Sequence, residues 1–182
     1  DFIKLAGKRG YKSIITTNGT LLQDRQEELL AAGLHKVNIS LQSFEANPMG
    51  ELQNYMAECS AFARSMSEAG KLCVLRLWNS GCDEGRNDTA LAFLRQMLPG
   101  QWAENSRGYR IRDRLFLEWG DRFAWPDMEA EDQGSQVFCY GLKDQFGILC
   151  DGTVVPCCLD HEGDLALGNA FSRALEEILE SP

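Results

Sequence analysis

Residues 138–158 read Phe-Cys-Tyr-Gly-Leu-Lys-Asp-Gln-Phe-Gly-Ile-Leu-Cys-Asp-Gly-Thr-Val-Val-Pro-Cys-Cys, and four of the seven cysteines of the chain lie in this stretch. At its centre is Asp151-Gly152, a dipeptide typical of a two-residue type I′ turn, with strand-forming residues on both sides. We therefore predict a β-hairpin whose second strand ends at Pro156. The predicted pairs across the hairpin are Cys150 with Thr153, Ile148 with Val155, and Phe146 with Cys157.

This register places Cys157 at the open base of the hairpin, where the chain that carries Cys139 can reach it. Cys150 lies on the same face, but at about 3.4 Å per residue its sulfur would be on the order of 13 Å from that of Cys157. The ligands of an iron-sulfur cluster must converge on one point, so Cys139 and Cys157 are the predicted metal ligands and Cys150 is not. Spacing alone fits equally well with an ordinary hairpin whose cysteines are small buried hydrophobes.

Three features of this region resemble a known family. They are the spacing Cys139-x12-Gly152-x4-Cys157, the Pro-Cys-Cys ending, and Gly168-Asn169 followed by a Leu-Glu-Glu-Ile segment. Together they resemble the auxiliary-cluster extension of radical SAM enzymes that is called SPASM, or twitch in its shorter form. The resemblance implies an auxiliary 4Fe-4S cluster that residues 128–182 hold in part, with further ligands expected beyond Pro182.

Composition limits the classes of partner. A chain of 182 residues with 44% apolar residues can bury a core, and its net charge of −9 argues against nucleic acid or an anionic membrane as the main partner. A small molecule or a peptide fits better. The cysteines are odd in number and irregularly spaced, which favours metal over disulfides, and no apolar run reaches transmembrane length. We expect a cytoplasmic protein.

The first two thirds of the chain alternate between strand and helix patterns. Strands are predicted at 11–16, 36–42, 71–78 and 114–119, the last after an irregular span rich in arginine. Helices fill the intervals, and the one after the second strand is predicted to begin at Asn47-Pro48. Parallel neighbours need such crossovers, so we predict an α/β fold with a parallel sheet and ligand chemistry at the carboxyl ends of its strands.

Two motifs at those strand ends carry a second resemblance. Ile-Thr-Thr-Asn-Gly at 15–19 and Asn-Ile-Ser-Leu-Gln-Ser at 38–43 resemble the middle of a radical SAM partial barrel. The resemblance implies that residues 1–127 are the later part of a (β/α)6 barrel that binds S-adenosylmethionine. Asn18 and Ser40 would face this cofactor, and Arg76 or Asn79 would lie near its carboxylate or ribose. Gln42 stands where the family often has an acidic residue, and Asn18-Gly19 taken alone is an ordinary turn.

The implied activity is reductive cleavage of S-adenosylmethionine, after which the resulting radical abstracts hydrogen from a substrate. Family analogy favours a peptide or protein as substrate. The defining Cys-x3-Cys-x2-Cys motif is absent from this chain. We therefore interpret the chain as a fragment that is inactive alone, exposes apolar surface and self-associates.

The alternative is a non-catalytic module on an α/β domain. In that case Cys139, Cys157 and Cys158 hold zinc or pack structurally. His35 and His161 are the only histidines of the chain. The first precedes a strand and the second lies in a polar loop, so both are predicted to be exposed rather than metal ligands.

Overall fold

The computed structural model describes residues 1–46, 50–122, 125–127, 129, 131, 134 and 138–180. The helix start predicted at Asn47-Pro48 lies outside these residues. The chain forms two compact units, residues 1–123 and 124–182, whereas the sequence analysis places a boundary at 127/128. In the described parts of both units, every helix is too short or too polar to cross a membrane.

The first unit alternates strands with helices. Its elements are α1 (Phe2–Lys8), β1 (Ile14–Thr17), α2 (Leu22–Ala31), β2 (Lys36–Ser40), a 3-10 helix (Leu41–Glu45), α3 (Leu52–Glu68), β3 (Leu72–Ser80), α4 (Arg86–Met97), β4 (Ala103–Asn105), β5 (Gly108–Arg112) and β6 (Leu115–Asp121).

These strands form one sheet in the order β1-β2-β3-β6-β5-β4, in which β1, β2, β3 and β6 run parallel. The predicted α/β fold with parallel strands is confirmed. Phe62 and Met66 of α3 are fully buried with Leu75 of β3 and Leu117 of β6. This apolar layer between helix and sheet is the core, since each parallel crossover returns the chain across the same face.

The span rich in arginine is not irregular, as the sequence analysis expected, but forms the antiparallel pair β4 and β5. Strand β5 also pairs antiparallel with β6, and the register slips between Arg110 and Arg112. Arg114 follows with a φ of +57°, so the turn between β5 and β6 is tight. The bulge interrupts the alternation of apolar and polar residues that identifies a strand in a sequence.

The second unit contains β7 (Gly147–Ile148), β8 (Thr153–Val155), β9 (Gly168–Asn169) and α5 (Leu175–Leu179), and its three strands are antiparallel. The predicted hairpin is present, but its predicted register is wrong. Gly147 pairs with Val155 and Ile148 with Val154, and the N–H of Leu149 donates to the carbonyl of Thr153 at 2.8 Å.

The register differs because the loop has three residues, 150–152, instead of two. A type I′ turn needs positive φ at both central residues, and of these three residues only Gly152 has it, at +87°. Strand β9 holds the loop: Asn169 donates from Nδ2 to the carbonyl of Asp151 at 2.9 Å, and the N–H of Ala170 donates to the carbonyl of Gly152 at 2.9 Å. Cys157 therefore does not lie opposite Phe146.

Candidate functional site

Cys139 and Cys157 line one cavity of about 260 Å³ in the second unit. Cys157 follows β8 and is only 8% exposed, whereas Cys139 is exposed. The structure thus brings together the two residues that the sequence analysis names as metal ligands, although the register on which that prediction was built is wrong.

The position of Cys139 depends on Gly141. A Cβ atom at residue 141 would lie 3.2 Å from Cys139 Sγ and 3.1 Å from the carbonyl oxygen of Pro156. The absence of a side chain there lets the Cys139 sulfur approach the residue that precedes Cys157. The N–H of Gly141 also donates to Cys139 Sγ at 3.2 Å. This contact helps to fix the position of the Cys139 sulfur.

Cys157 is held by a turn on its C-terminal side. The N–H of Asp160 donates to the carbonyl of Cys157 at 3.2 Å, and the Asp160 carboxylate accepts from the N–H groups of Asp164 and Leu165 at 2.9 and 3.0 Å. These bonds fold the loop 160–165 beside the two thiols. The loop lines the same cavity with Asp160, His161, Glu162, Asp164 and Leu165.

Cys150 and Cys158 are both exposed, and Cys150 lies in the hairpin loop as predicted. The lining of the cavity, as far as the structure describes it, includes neither. Of the neighbouring residues Cys157 and Cys158, only Cys157 lines this cavity.

The two thiols fit part of the ligand set of an iron-sulfur cluster. Among the described residues, no three His, Cys, Asp or Glu side chains are close enough to hold a single metal ion. A cluster places its protein ligands on different irons, so it needs convergent thiolates that are farther apart than the ligands of one ion. Two cysteines at one cavity, one of them with an N–H donor to its sulfur, have the chemistry of part of such a ligand set.

A second group of polar side chains lies at the carboxyl ends of the parallel strands. Ser40 of β2 is the register partner of Arg76 of β3, which is in turn the partner of Glu118 of β6. Register partners share one face of a sheet, so these three side chains form a row. The sequence analysis names Ser40 and Arg76 but not Glu118.

Arg76 has unused hydrogen-bonding capacity. Its guanidinium carbon lies 4.2 Å from the centroid of the Trp78 ring, and its buried Nε has no partner within the described residues. Burial lowers the pKa of Arg76, and the negative charge of Glu118 acts in the opposite direction. A buried cationic donor without a partner is costly, so a ligand oxygen at this Nε would be stabilising.

Asn38 lies on the same face of β2, two residues before Ser40, and is 5% exposed. Its Nδ2 donates to Thr16 Oγ1 at 3.1 Å, while its buried Oδ1 lacks a donor in the part of the chain that the structure describes. This face of the sheet therefore offers one buried donor, on Arg76, and one buried acceptor. A ligand that carries both a carboxylate and N–H groups, such as S-adenosylmethionine, has the chemistry to satisfy them.

Asn18 directly follows β1, and its side chain is exposed. Its carbonyl accepts hydrogen bonds from Tyr55 Oη at 2.7 Å and from Ser43 Oγ at 3.3 Å. A Cβ at residue 19 would lie 2.8 Å from Cys59 Sγ, which explains the glycine after Asn18. The Asn18-Gly19 turn is therefore fixed against α3, with the Asn18 side chain at the carboxyl end of the sheet.

Asn79 lies on the opposite face of β3 from Arg76. It is buried, donates to Glu45 Oε1 at 3.0 Å, and accepts from Asn87 Nδ2 at 3.0 Å. The structure does not bring it to Ser40 and Arg76, and its amide already has partners. Gln42 lines a separate cavity of about 360 Å³ between the 3-10 helix, α3 and α4.

Glu118, Tyr55 and His161 are residues of these sites that the sequence analysis did not identify as such. The place of Glu118 in the site can be inferred only when the pairing of β3 with β6 is known. That of Tyr55 can be inferred only when α3 is placed beside the end of β1. His161 follows Pro-Cys-Cys-Leu-Asp. Its distance of four residues from Cys157 is the one sequence signal that could have marked it.

Comparisons with known proteins match both units. Residues 139–182 match the SPASM family, which is described as an iron-sulfur cluster-binding domain. A segment of 111 residues is 26% identical to GTP 3′,8-cyclases of two Staphylococcus epidermidis strains, ATCC 35984 and ATCC 12228. That segment covers 61% of this chain but only 31% of each relative, so the chain spans about a third of the length of the curated proteins it matches. No solved structure matches.

GTP 3′,8-cyclase is a radical SAM enzyme. The two kinds of match therefore confirm the resemblance to a radical SAM enzyme with a SPASM region.

Proposed function

We propose that this chain is part of a radical SAM enzyme and that its second unit holds part of an auxiliary iron-sulfur cluster through Cys139 and Cys157. One observation carries the proposal: both thiols line a single cavity within the segment that matches an iron-sulfur cluster-binding domain. When bound, such a cluster supplies one-electron chemistry or an iron site for substrate. The chain's contribution is to bring two cysteine sulfurs to one cavity, one of them positioned by the Gly141 N–H.

The first unit contributes four parallel strands of what we propose to be a (β/α)6 partial barrel. The row of Ser40, Arg76 and Glu118 and the exposed Asn18 lie at the carboxyl ends of these strands. There Arg76 binds the carboxylate of S-adenosylmethionine through its free Nε, while Ser40 and Asn18 bind hydroxyl or amide groups. We leave Asn79 out of this set because its amide is engaged on the other face.

The intact enzyme cleaves S-adenosylmethionine reductively and uses the radical to modify a substrate, for which we propose a peptide or protein. The chain of 182 residues contains no Cys-x3-Cys-x2-Cys motif, and we propose that it is inactive alone.

Iron content after anaerobic reconstitution tests the proposed cluster site. In the protein expressed from its complete reading frame, Cys139→Ala and Cys157→Ala each remove the auxiliary iron, because each deletes a thiolate ligand. Cys150→Ala is the matched control, since it removes an exposed loop thiol, and it leaves the iron unchanged. Loss of iron in the Cys150 variant, or full iron in either of the others, contradicts the site.

The visible spectrum separates this function from a structural zinc site. Zinc in a cysteine site gives no visible absorption because its d shell is full, whereas an iron-sulfur cluster is coloured. A colourless protein that takes up one equivalent of zinc per Cys139–Cys157 pair would support the non-catalytic module instead.

A further inference from the structure

We propose that His161 supplies a third protein ligand, through Nδ1, to the iron-sulfur cluster at Cys139 and Cys157; this inference rests on the function proposed above. The side chain lines the same cavity as the two thiols. The loop that carries it is folded back by the turn from Cys157 to Asp160 and by the two N–H bonds to the Asp160 carboxylate.

The imidazole is oriented by two neighbours. Its ring centroid lies 4.6 Å from that of Trp125, at an interplanar angle of 42°. His161 Nε2 lies 3.2 Å from Glu162 Oε1. We assign the proton of the neutral ring to Nε2, beside this carboxylate, which leaves Nδ1 with a lone pair. Within the residues that the structure describes, Nδ1 makes no hydrogen bond.

This arrangement is typical of a metal-binding histidine. A ligating histidine almost always donates its second ring N–H to a carboxylate or carbonyl, which fixes the tautomer and makes the ligating nitrogen more basic. Iron in iron-sulfur clusters accepts imidazole nitrogen in place of cysteine sulfur, as Rieske centres show. Glu162 thus has the role of an orienting partner and not of a ligand.

The other polar side chains of the cavity fit less well. Both oxygens of Asp160 already accept backbone N–H groups within the loop. Carboxylates in general are hard ligands that suit magnesium and calcium better than the soft iron of a cluster. Of the cavity-lining residues, His161 alone combines a free soft donor atom with an oriented side chain.

The side chain of His161 is 46% exposed. This exposure leaves room for a change of the His161 rotamer, by which we propose that Nδ1 reaches a cluster held by Cys139 and Cys157. With three protein ligands, the chain retains a cluster that has one iron without a protein ligand, a position at which a substrate or an electron donor could bind.

The test uses the 182-residue chain, because it contains only two histidines and no Cys-x3-Cys-x2-Cys motif that would hold another cluster. The chain is labelled with 15N-histidine, reconstituted anaerobically with iron and sulfide, reduced, and studied by pulsed electron paramagnetic resonance. We expect a strong coupling to a directly bound nitrogen in the wild type. The matched control His35→Gln keeps the coupling, since His35 lies in the other unit.

His161→Cys keeps the cluster and loses the nitrogen coupling, because a thiolate replaces the imidazole. His161→Ala binds iron at least tenfold more weakly, and Glu162→Gln about tenfold more weakly through loss of the orienting carboxylate. A reconstituted wild-type cluster without nitrogen coupling, or with coupling that survives in His161→Cys, overturns the proposal for His161 and leaves the cysteine site standing. Failure of the wild-type chain to form any cluster also overturns the proposal for His161, because three ligands within this chain should retain one; the cysteine site is then judged by the iron content of the protein from its complete reading frame.

Discussion

Tyr55→Phe tests whether α3 fixes the turn that carries Asn18. The substitution removes one hydroxyl from a side chain that is 4% exposed and leaves the ring in contact with Phe44, 5.1 Å between centroids. The shortest lost hydrogen bond is the 2.7 Å contact to the Asn18 carbonyl, which keeps the longer bond from Ser43 Oγ; the hydroxyl also loses its contacts with Cys59 and Ser43. A buried neutral hydrogen bond contributes about 1 kcal/mol net, so we expect the free energy of unfolding of the first unit to fall by about that amount.

Hydrogen exchange measures this loss in the first unit alone. Peptides from residues 1–122 are followed by mass spectrometry, and those that contain Gly19 and Thr20 are expected to lose protection first, because their turn loses its anchor. Ser60→Ala is the matched control: it also removes a buried hydroxyl from α3, but one without a partner among the described residues. We expect Ser60→Ala to be neutral or stabilising. Equal losses in the two variants, or an unchanged Tyr55→Phe, would refute the anchoring role.

Three further predictions concern the chain as a whole. Calorimetry is expected to find no tight binding of S-adenosylmethionine by the 182-residue chain, because the methionine end normally binds the catalytic cluster; micromolar affinity would contradict this. Light scattering is expected to show concentration-dependent association, since Phe2 of α1, Tyr11 and Ile14 of β1 are 87%, 73% and 56% exposed, and a monomer at all concentrations would exclude it. Burial raises the pKa of Cys59 from 9.0 to about 12 and also raises that of Cys73. The folded state thus keeps both thiols protonated, so their contribution to the free energy of unfolding is fully present below pH 9 and falls as the pH rises toward 12. Urea unfolding at pH 8 and pH 10 measures this free energy, and a higher value at pH 10 would contradict the prediction.

The parallel part of the sheet was predictable because its signal is local. Each of the four strands is a short apolar run bounded by glycine or a polar turn, and each helix between them has its own apolar stripe. The β4–β5 pair was not predictable in this way. Arginines at 107, 110, 112 and 114 dominate its composition, and the bulge between Arg110 and Arg112 moves the buried residues out of strict alternation.

The hairpin shows how a correct local signal can give a wrong register. Asp151-Gly152 suits a type I′ turn, but the turn that forms is decided in part by Asn169, which lies on a different strand and holds the Asp151 carbonyl. The structure nevertheless brings Cys139 and Cys157 to one cavity, and their role as metal ligands stays a prediction. The resemblance rests on the spacing of Cys139, Gly152 and Cys157 and does not depend on the register.

The first-unit site was partly predictable for a related reason. Strand ends can be located from the sequence, but Asn18, Ser40, Arg76 and Asn79 were named through the resemblance to a radical SAM barrel, and their role stays a prediction. Strict alternation along β3 already places Asn79, three residues after Arg76, on the opposite face, where it contacts Glu45 and Asn87. Glu118 joins the row of Ser40 and Arg76 through strand pairing that no local pattern reveals.

The two edges of the six-stranded sheet differ in their capacity to accept another strand. Edge strand β4 has three residues, is exposed and carries Glu104, and short charged edges resist pairing with other chains. At the other edge, no strand in the described ranges covers the outer side of β1, where Ile14 is exposed. The antiparallel pair β4–β5 thus hinders the pairing of a further strand at the β4 edge, and a further strand can be added to the sheet only at the β1 edge. A protease or a chaperone that recognises extended backbone would therefore engage this unit at β1, and a synthetic strand designed to pair with β1 should protect that edge while leaving β4 unchanged.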